Sequence, residues 1–351
     1  MDKLKAIVSG YYGKGNAGDE ALLLSLLQML PPSITPIVLS ANPTATRDSY
    51  GVETVPRRSL FPLLKSFRES DMFIWGGGSL IQDVTSFASP FYYLSLMGYA
   101  QKLGLATFAW AQGIGPIKAK LTQRLTASVL QRCKGLSVRD CASAKLLEAW
   151  GISCILAPDP VWTLSAQPVK QVWEIRAPRV AVNLRPSAQL TPERLEHLTR
   201  ALIDFQKATN VSLLFLPFQS DQDLPLAQRV ATQLPGAYQI LSLQDPRALK
   251  GVFRGVEMLI GMRYHSLVMA ASEGCRCFAI SYDPKVKQLQ QELNLPGWDL
   301  TELPDDPNLI STVWLKEYTN GDALELTQIQ SLIDRAWLHQ QIFSIQQGAC
   351  L

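Results

Sequence analysis

Apolar positions in this chain fall into blocks of two lengths. Runs of about four to eight apolar residues read as buried strands, and longer stretches with apolar residues three and four apart read as helices. Ala6–Ser9 is the first strand, and the stretch from about Asp19 to Leu30 is a helix stopped by Pro31-Pro32. ITPIVLS, VETV, DMFIWGGG, ATFAWAQ and GLSV continue the series of strands. Between them SLFPLLKSFRES, the aromatic segment from about Pro90, LTQRLTASVLQRC and SAKLLEAWG read as helices, and CILAPDPVW closes this half. A repeated strand–helix order predicts a parallel, doubly wound sheet.

Ser165–Pro178 has no clean period and two prolines, and reads as a linker. The pattern then restarts. RVAVN is a strand, and the next helix opens with Thr191 as N-cap and Pro192 at its first position. VSLLFLPF, AYQILS, VEMLIG and CFAISY are further strands, separated by helical stretches, and two helices close the tail. The expectation is an α/β, GT-B-like protein with two Rossmann-like doubly wound parallel-sheet domains facing a cleft. The domains are residues 1–168, carrying the glycine loops, and residues 178–303. Residues 304–351 are helices that pack back across the interface or serve dimerisation, so an oligomer is open.

Composition narrows the class. With 351 residues, 47% hydrophobic and 18% charged, the chain has ample core for about two domains. A net charge of +3 gives no case for nucleic-acid binding. The six cysteines form no C-x-x-C, and Cys275-x-Cys277 lacks partners at zinc spacing. They read as reduced thiols of a cytosolic protein, with no metal site. No signal-peptide pattern is visible at the start. The longest uncharged stretch, Val84–Gln101, carries Pro90 and Gly98 and reads as a buried loop and helix, not a membrane span. Arg57-Arg58 and Lys118/Lys120 suit contact with an anionic surface.

The chemistry gathers at strand ends. Gly13, Gly15 and Gly18 match G-x-G-x-x-G between a strand and a helix, which lets backbone amides approach a phosphate or substrate. A tight helix–sheet turn would use the same glycines. The second strand runs into Ala41-Asn42-Pro43 with no acid for a ribose, which argues against a dinucleotide. Asn16, Asp19 and Glu20 make the loop polar, although the two acids also suit a helix start. Gly76, Gly77 and Gly78 mean close backbone approach by a ligand or a neighbouring chain segment, with Gln82 and Asp83 at the same rim.

In the second half, Gly261–Gly274 reads strand, loop, helix, and places Met262, Arg263, Tyr264 and His265 in the loop. Arg263 and His265 there suggest an anionic ligand and proton transfer, or a helix cap. The chain has three histidines, and the other two, His197 and His339, lie in helical, polar-patterned stretches. With Arg139, Arg185 and Lys285 the loop ends form a cationic set suited to a small polyanion. Arg139 could instead pair with Asp140 or Asp159, and Lys285 could be a solvated helix-start lysine. Asp83 and Asp159 are either bases or structural partners.

SGYYGKGNAGDEALL, IWGGGSLIQD, AQGIGP, LSVRD, APDPV, GMRYHSLVMAASEG and ISYDPKV together resemble the polysaccharide pyruvyl transferases, most closely the bacterial CsaB-type enzymes. The resemblance runs in order from Ser9 to about Lys287. It implies a GT-B-like fold and transfer of the enolpyruvyl unit of phosphoenolpyruvate, a co-substrate, onto two hydroxyls of a sugar. The product is a pyruvate ketal, and no cofactor is needed. The implied acceptor is an N-acetylmannosamine-type unit of a lipid-linked cell-wall glycan precursor, met in the cytoplasm at the inner membrane face. By resemblance, Arg139 and Lys285 hold the donor's anions, His265 is the general acid/base, and Arg263 is a further anion ligand. Gly13, Asn16, Gly18, Asp19, Gly77, Gly78, Gln82 and Asp83 fall on the acceptor side. Gln219 stands where many relatives carry histidine. The rival reading is a nucleotide-sugar glycosyltransferase on the same fold, with Glu273 on the donor ribose.

Overall fold

The computed structural model of the chain describes residues 3–83 and 88–346. Val84, which opens the long uncharged stretch, and Cys350 lie outside the described residues. The chain divides into two compact units. The first holds residues up to Lys14, Asp19–Leu164 and the chain from Ser331 on, and the second holds Gly15–Gly18 and Ser165–Gln330.

Seven apolar runs of the first unit become one parallel sheet. Its strands are β1 (Leu4–Ser9), β2 (Ile34–Ser40), β3 (Glu53–Pro56), β4 (Met72–Gly78), β5 (Ala106–Gln112), β6 (Gly135–Val138) and β7 (Ile155–Leu156). Their order is β3-β2-β1-β4-β5-β6-β7. The winding reverses between β1 and β4, so the crevice at their carboxyl ends is this unit's topological switch point. The helices are α1 (Ala17–Met29), α2 (Pro43–Tyr50), α3 (Leu60–Arg68), α4 (Ala88–Lys102), α5 (Lys120–Leu130) and α6 (Cys141–Ala149). Right-handed crossovers put α1 and α2 on one face and α3 to α6 on the other.

Side chains alternate between these faces, as a period of two requires. Ile7, Phe73 and Trp75 join the cluster under α3 and α4 that holds Phe67 and Met97. Ala6, Val8, Met72 and Ile74 point to the opposite cluster, with Leu23, Leu26 and Trp110. The end of the described chain, a 3₁₀ segment over Trp337–Gln346, completes that second cluster with Ile342 and Phe343.

The second unit repeats the scheme with β8 (Arg179–Asn183), β9 (Ser212–Phe215), β10 (Tyr238–Ile240), β11 (Met258–Gly261), β12 (Arg276–Ser281) and β13 (Gly297–Asp299). The order is β10-β9-β8-β11-β12-β13, all parallel, so its switch point lies between β8 and β11. Its helices are α7 (Lys170–Glu174), α8 (Pro192–Thr209), α9 (Ser220–Ala231), α10 (Pro246–Val252), α11 (Tyr264–Ser272), α12 (Pro284–Glu292) and α13 (Pro307–Asn320). α14 (Leu326–Ala336) crosses the boundary between the units. α8 starts as its sequence predicts, with the Thr191 hydroxyl accepting from the Arg194 amide at 3.3 Å and Pro192 in the first turn. Phe205 of α8 and Trp314 of α13 pack edge to face at 6.3 Å between ring centres.

Three elements go beyond the sequence reading. α2 buries only Thr46, so it carries no apolar stripe to read. α7 sits inside the expected linker, and its five residues are too few to show a period. β13 has three half-buried residues. His339 also needs correction. It lies not on a polar helix face but fully buried in the first unit. No helix among the described residues is long and apolar enough to cross a membrane.

Candidate active site

In the second unit three adjacent strands deliver charged and titratable groups to one edge. Beyond β8 comes Arg185, beyond β11 come Arg263 and His265, and beyond β12 come Asp283 and Lys285. The switch crevice is tied together by Asn183, the last residue of β8. Its amide group donates to the Leu216 carbonyl at 2.7 Å and accepts from the Arg263 N–H at 3.0 Å. Its own carbonyl accepts from the Met262 N–H at 2.9 Å. A fully buried asparagine with these bonds satisfied holds three strand ends in register.

Arg263 occupies the N-cap position of α11 without capping it by its side chain. Instead its guanidinium forks onto Asp223, with Nε and Nη2 at 2.7 and 2.6 Å from the two carboxylate oxygens. The carboxylate is fully buried and also accepts from the Phe218 and Gln219 amides, each at 3.0 Å. Arg263 is thus charge-matched within the fold. Arg185 differs. Its guanidinium lies 4.6 Å over the Tyr282 ring, and Nη1 donates to the Tyr282 hydroxyl at 2.6 Å. Burial pushes that phenol up, against the pull of Arg185.

His265 is the second residue of α11, half-buried, with its ring edge-on to Tyr264 at 5.2 Å. It packs against the Gly15–Gly18 segment of the same unit. A Cβ on Gly18 would meet His265 Nδ1 at 2.1 Å. That segment is held by an antiparallel bridge between Asn16 and Gln219 and by the Ala17 N–H donating to the Phe218 carbonyl at 2.7 Å. The Asn16 side chain accepts from the Gly18 N–H at 3.0 Å. Gln219, the residue before α9, therefore serves here through its backbone, holding the segment against which the histidine packs. Lys285 sits half-buried in the first turn of α12, where Asp283 caps its amide at 2.9 Å behind Pro284.

The first unit's glycines are filled largely from within. Tyr12 runs under Gly76, and its hydroxyl donates to the Gly76 carbonyl. Gly77 and Gly78 have φ of 80° and 92°, which favours glycine, and a Cβ on them would meet Trp110 at 3.0 Å and Asp19 Oδ1 at 3.3 Å. The Gly13 amide donates to Glu20 at 2.8 Å. Burial pushes the Glu20 carboxyl up despite that bond and the one from Tyr50. At Gly76–Gly78 neighbouring chain segments make the close approach, through Tyr12, Trp110 and Asp19.

Arg139 is paired within the fold. Nη1 donates to Asp159 at 2.6 Å and Nη2 to the Ser79 hydroxyl at 3.0 Å, with both charged groups buried. Asp140 instead caps α6 through the Ser143 amide at 2.7 Å. Arg139 is accordingly not an uncompensated cation. Asp83 also has a structural partner, accepting from the Lys118 and Ala119 amides at 2.8 and 2.9 Å. Desolvation opposes its ionisation, but those amides together outweigh it and hold the carboxyl below its ordinary range. Gln82 sits half-buried beside it. Glu273 is engaged by Arg254 at 2.6 Å and by the buried Lys250 at 3.6 Å. Asp223, Asn183 and Tyr282 were not singled out in the sequence, because nothing local marks a carboxylate, an amide or a phenol as the partner of a distant arginine.

A family model described as polysaccharide pyruvyl transferase matches residues 16–284, a span that includes Gly18, the Gly76–Gly78 loop, Arg139, His265 and the first residue of α12. The chain belongs to this family. As a polysaccharide pyruvyl transferase it is a transferase, moving a pyruvyl group to a polysaccharide. Solved structures of similar fold include the UDP-GlcNAc 2-epimerase of Methanocaldococcus jannaschii, at 10% identity, TM-score 0.67, covering 97% of this chain and 99% of that one. Anabaena Alr3699/HepE in complex with UDP-glucose is similar at 12% identity and TM-score 0.57, covering 98% and 97%. MurG of Acinetobacter baumannii is similar at 12% identity and TM-score 0.52, covering 99% and 100%. These likenesses bear out the GT-B-like α/β fold, and at such identity they speak for fold alone. No curated protein matches the chain.

Proposed function

We propose that this pyruvyl transferase uses phosphoenolpyruvate to form a pyruvate ketal on two hydroxyls of a sugar, releasing phosphate. The observation that carries the reading is the convergence of Arg185, His265 and Lys285 on the switch-point edge of one sheet, beside the N-termini of α11 and α12. Helix N-termini and permanent cations suit the donor's phosphate and carboxylate. The donor-anion ligands we favour are Lys285 and Arg185, with Arg139 and Arg263 paired to Asp159 and Asp223. Arg139 then orders the Ser79 loop.

In this scheme His265 donates a proton to the methylene carbon, which becomes the methyl group. Positive charge develops at C2, and one sugar hydroxyl adds there as its proton passes to a base. The second hydroxyl then replaces phosphate at C2, closing the ketal. Of the two hydroxyl protons, one balances that delivered to carbon and the other leaves with phosphate. The cations stabilise the departing phosphate, and His265 alternates as acid and base. Asp19 and Gln82 are the candidate acceptor contacts of the first unit. The acceptor we favour is an N-acetylmannosamine-type unit on a lipid-linked glycan precursor, met in the cytoplasm at the membrane's inner face.

The test is phosphate release from phosphoenolpyruvate with a panel of hexosamine glycosides, run beside His265→Ala. Acceptor-dependent release that the variant loses supports the scheme. Absence of release with every acceptor, together with binding of a nucleoside diphosphate, overturns it in favour of glycosyl transfer.

A further inference from the structure

The crossovers β3→β4, β4→β5 and β5→β6 run the same way across the first sheet, so α3, α4 and α5 share a face. Phe67 of α3 meets Tyr99 of α4 edge to face at 5.1 Å, and α4 in turn packs on α5. The N-terminal turns of all three helices therefore emerge at the carboxyl edge of the sheet. At α3 that turn presents Leu60 and Phe61, which are 63% and 85% exposed. At α5 it presents Leu121 at 61%, with Leu125 at 39% one turn on. Single exposed apolar residues need no explanation, but these are large, and they flank one helix at the same edge.

Charge singles out the same two segments. Residues 57–68 carry Arg57, Arg58, Lys65 and Arg68 and no acidic residue. Residues 117–134 carry Lys118, Lys120, Arg124, Arg132 and Lys134 and again no acidic residue. In a chain of net charge only +3 this is a local concentration. Arg57 is committed to the fold, donating to the Gly10 carbonyl and the Tyr93 hydroxyl with its guanidinium over the Tyr92 ring. Arg58, Lys118, Lys120 and Arg124 are exposed beside the apolar side chains.

We infer that the N-terminal turns of α3 and α5 dock the protein on an anionic lipid bilayer. The exposed cations face the headgroups, while Phe61, Leu60 and Leu121 enter the headgroup–acyl boundary. A soluble polyanion would reward the cations and leave the apolar residues in water, whereas a bilayer rewards both. The proposal deepens the reading of a lipid-linked acceptor. It stands on residues outside the proposed chemistry, so docking and turnover can fail separately.

The experiment is flotation of the full chain with vesicles of phosphatidylcholine alone or with about 30 mol % phosphatidylglycerol. Binding should be about tenfold stronger to the anionic vesicles and should weaken as salt is raised. The pair Leu60→Ser and Phe61→Ser should lose most of it, and each of Arg58→Gln, Lys120→Gln and Arg124→Gln about fivefold. Phosphate release with a soluble acceptor should be unchanged in all of them, which also shows that they fold. Equal binding to both vesicle types overturns the proposal, as does indifference to the Leu60/Phe61 change. Charge-dependent binding that ignores the apolar pair would assign the surface to a soluble polyanion instead.

Discussion

Nδ1 of His265 lies where a Cβ on Gly18 would come within 2.1 Å of it. The glycine-rich loop thus does something its motif does not announce: its last glycine is the surface on which the histidine ring rests. Gly18→Ala should displace the ring while leaving the rest of the unit folded. A displacement of about 1 Å at a reacting group costs about 100-fold. We expect kcat to fall by about that factor with an unchanged melting temperature, and a variant of full activity would separate His265 from the chemistry.

Asp223 and Arg263 form a buried pair whose carboxylate also holds the Phe218 and Gln219 amides. Removing one partner leaves the other charge stranded, at about 3–5 kcal/mol. Asp223→Ala should lose that much in denaturant unfolding. Adding Arg263→Met should recover part of it, because the stranded guanidinium is then gone.

Burial drives the His339 imidazole down to about 4, despite its bond to the Pro158 carbonyl. The folded value lies below the unfolded value of 6.5, so protons favour the unfolded chain. Above pH 6.5 neither state is protonated and His339 adds no pH dependence. Its contribution is lost as pH falls from 6.5 to about 4, amounting to about 3 kcal/mol. Comparing unfolding of the native chain and His339→Gln over that window should show the native slope steeper by this amount.

Arg185 rests on a neutral phenol, so it can offer its charge to a ligand. Arg185→Gln should raise the KM for phosphoenolpyruvate about tenfold, the cost of one charge-assisted bond, with little change in kcat. Tyr282→Phe keeps the ring beneath the guanidinium and should cost less. Should kcat collapse while KM holds, Arg185 acts in the transition state rather than in donor capture.

Much of this was legible in the sequence for a physical reason. Buried parallel strands are short continuous apolar runs, and both sheets were read from them. His265 stands out because it follows a strand end, where the structure places it in the first turn of α11 rather than in the loop. The arginines were harder. For Arg139 the sequence offers Asp159, 20 residues on, as a partner beside Asp140, whereas nothing marks Asp223, 40 residues away, as the partner of Arg263. His339 is buried with a hydrogen bond to Ser137, 202 residues distant, which no local pattern reveals. The exposed Phe61 was invisible for the opposite reason: a helix's apolar residues are assumed to face the core until the sheet beneath them is known.

The described chain from Ser331 belongs to the first unit, where Ile342 and Phe343 fill the core beside Phe108 and Trp110. During synthesis that unit waits. Its sheet is translated by Leu164, yet the side chains that cover one flank arrive only after the intervening unit, roughly 10–30 s later at ribosomal speeds of about 5–20 residues per second. Until then Phe108 and Trp110 stand without their cover. The second unit, although it comes later, has all but a four-residue segment of its own chain in one continuous piece. A nascent chain stalled before Ser331 would therefore present a finished domain joined to an unfinished one, and the unfinished one is where a chaperone would bind.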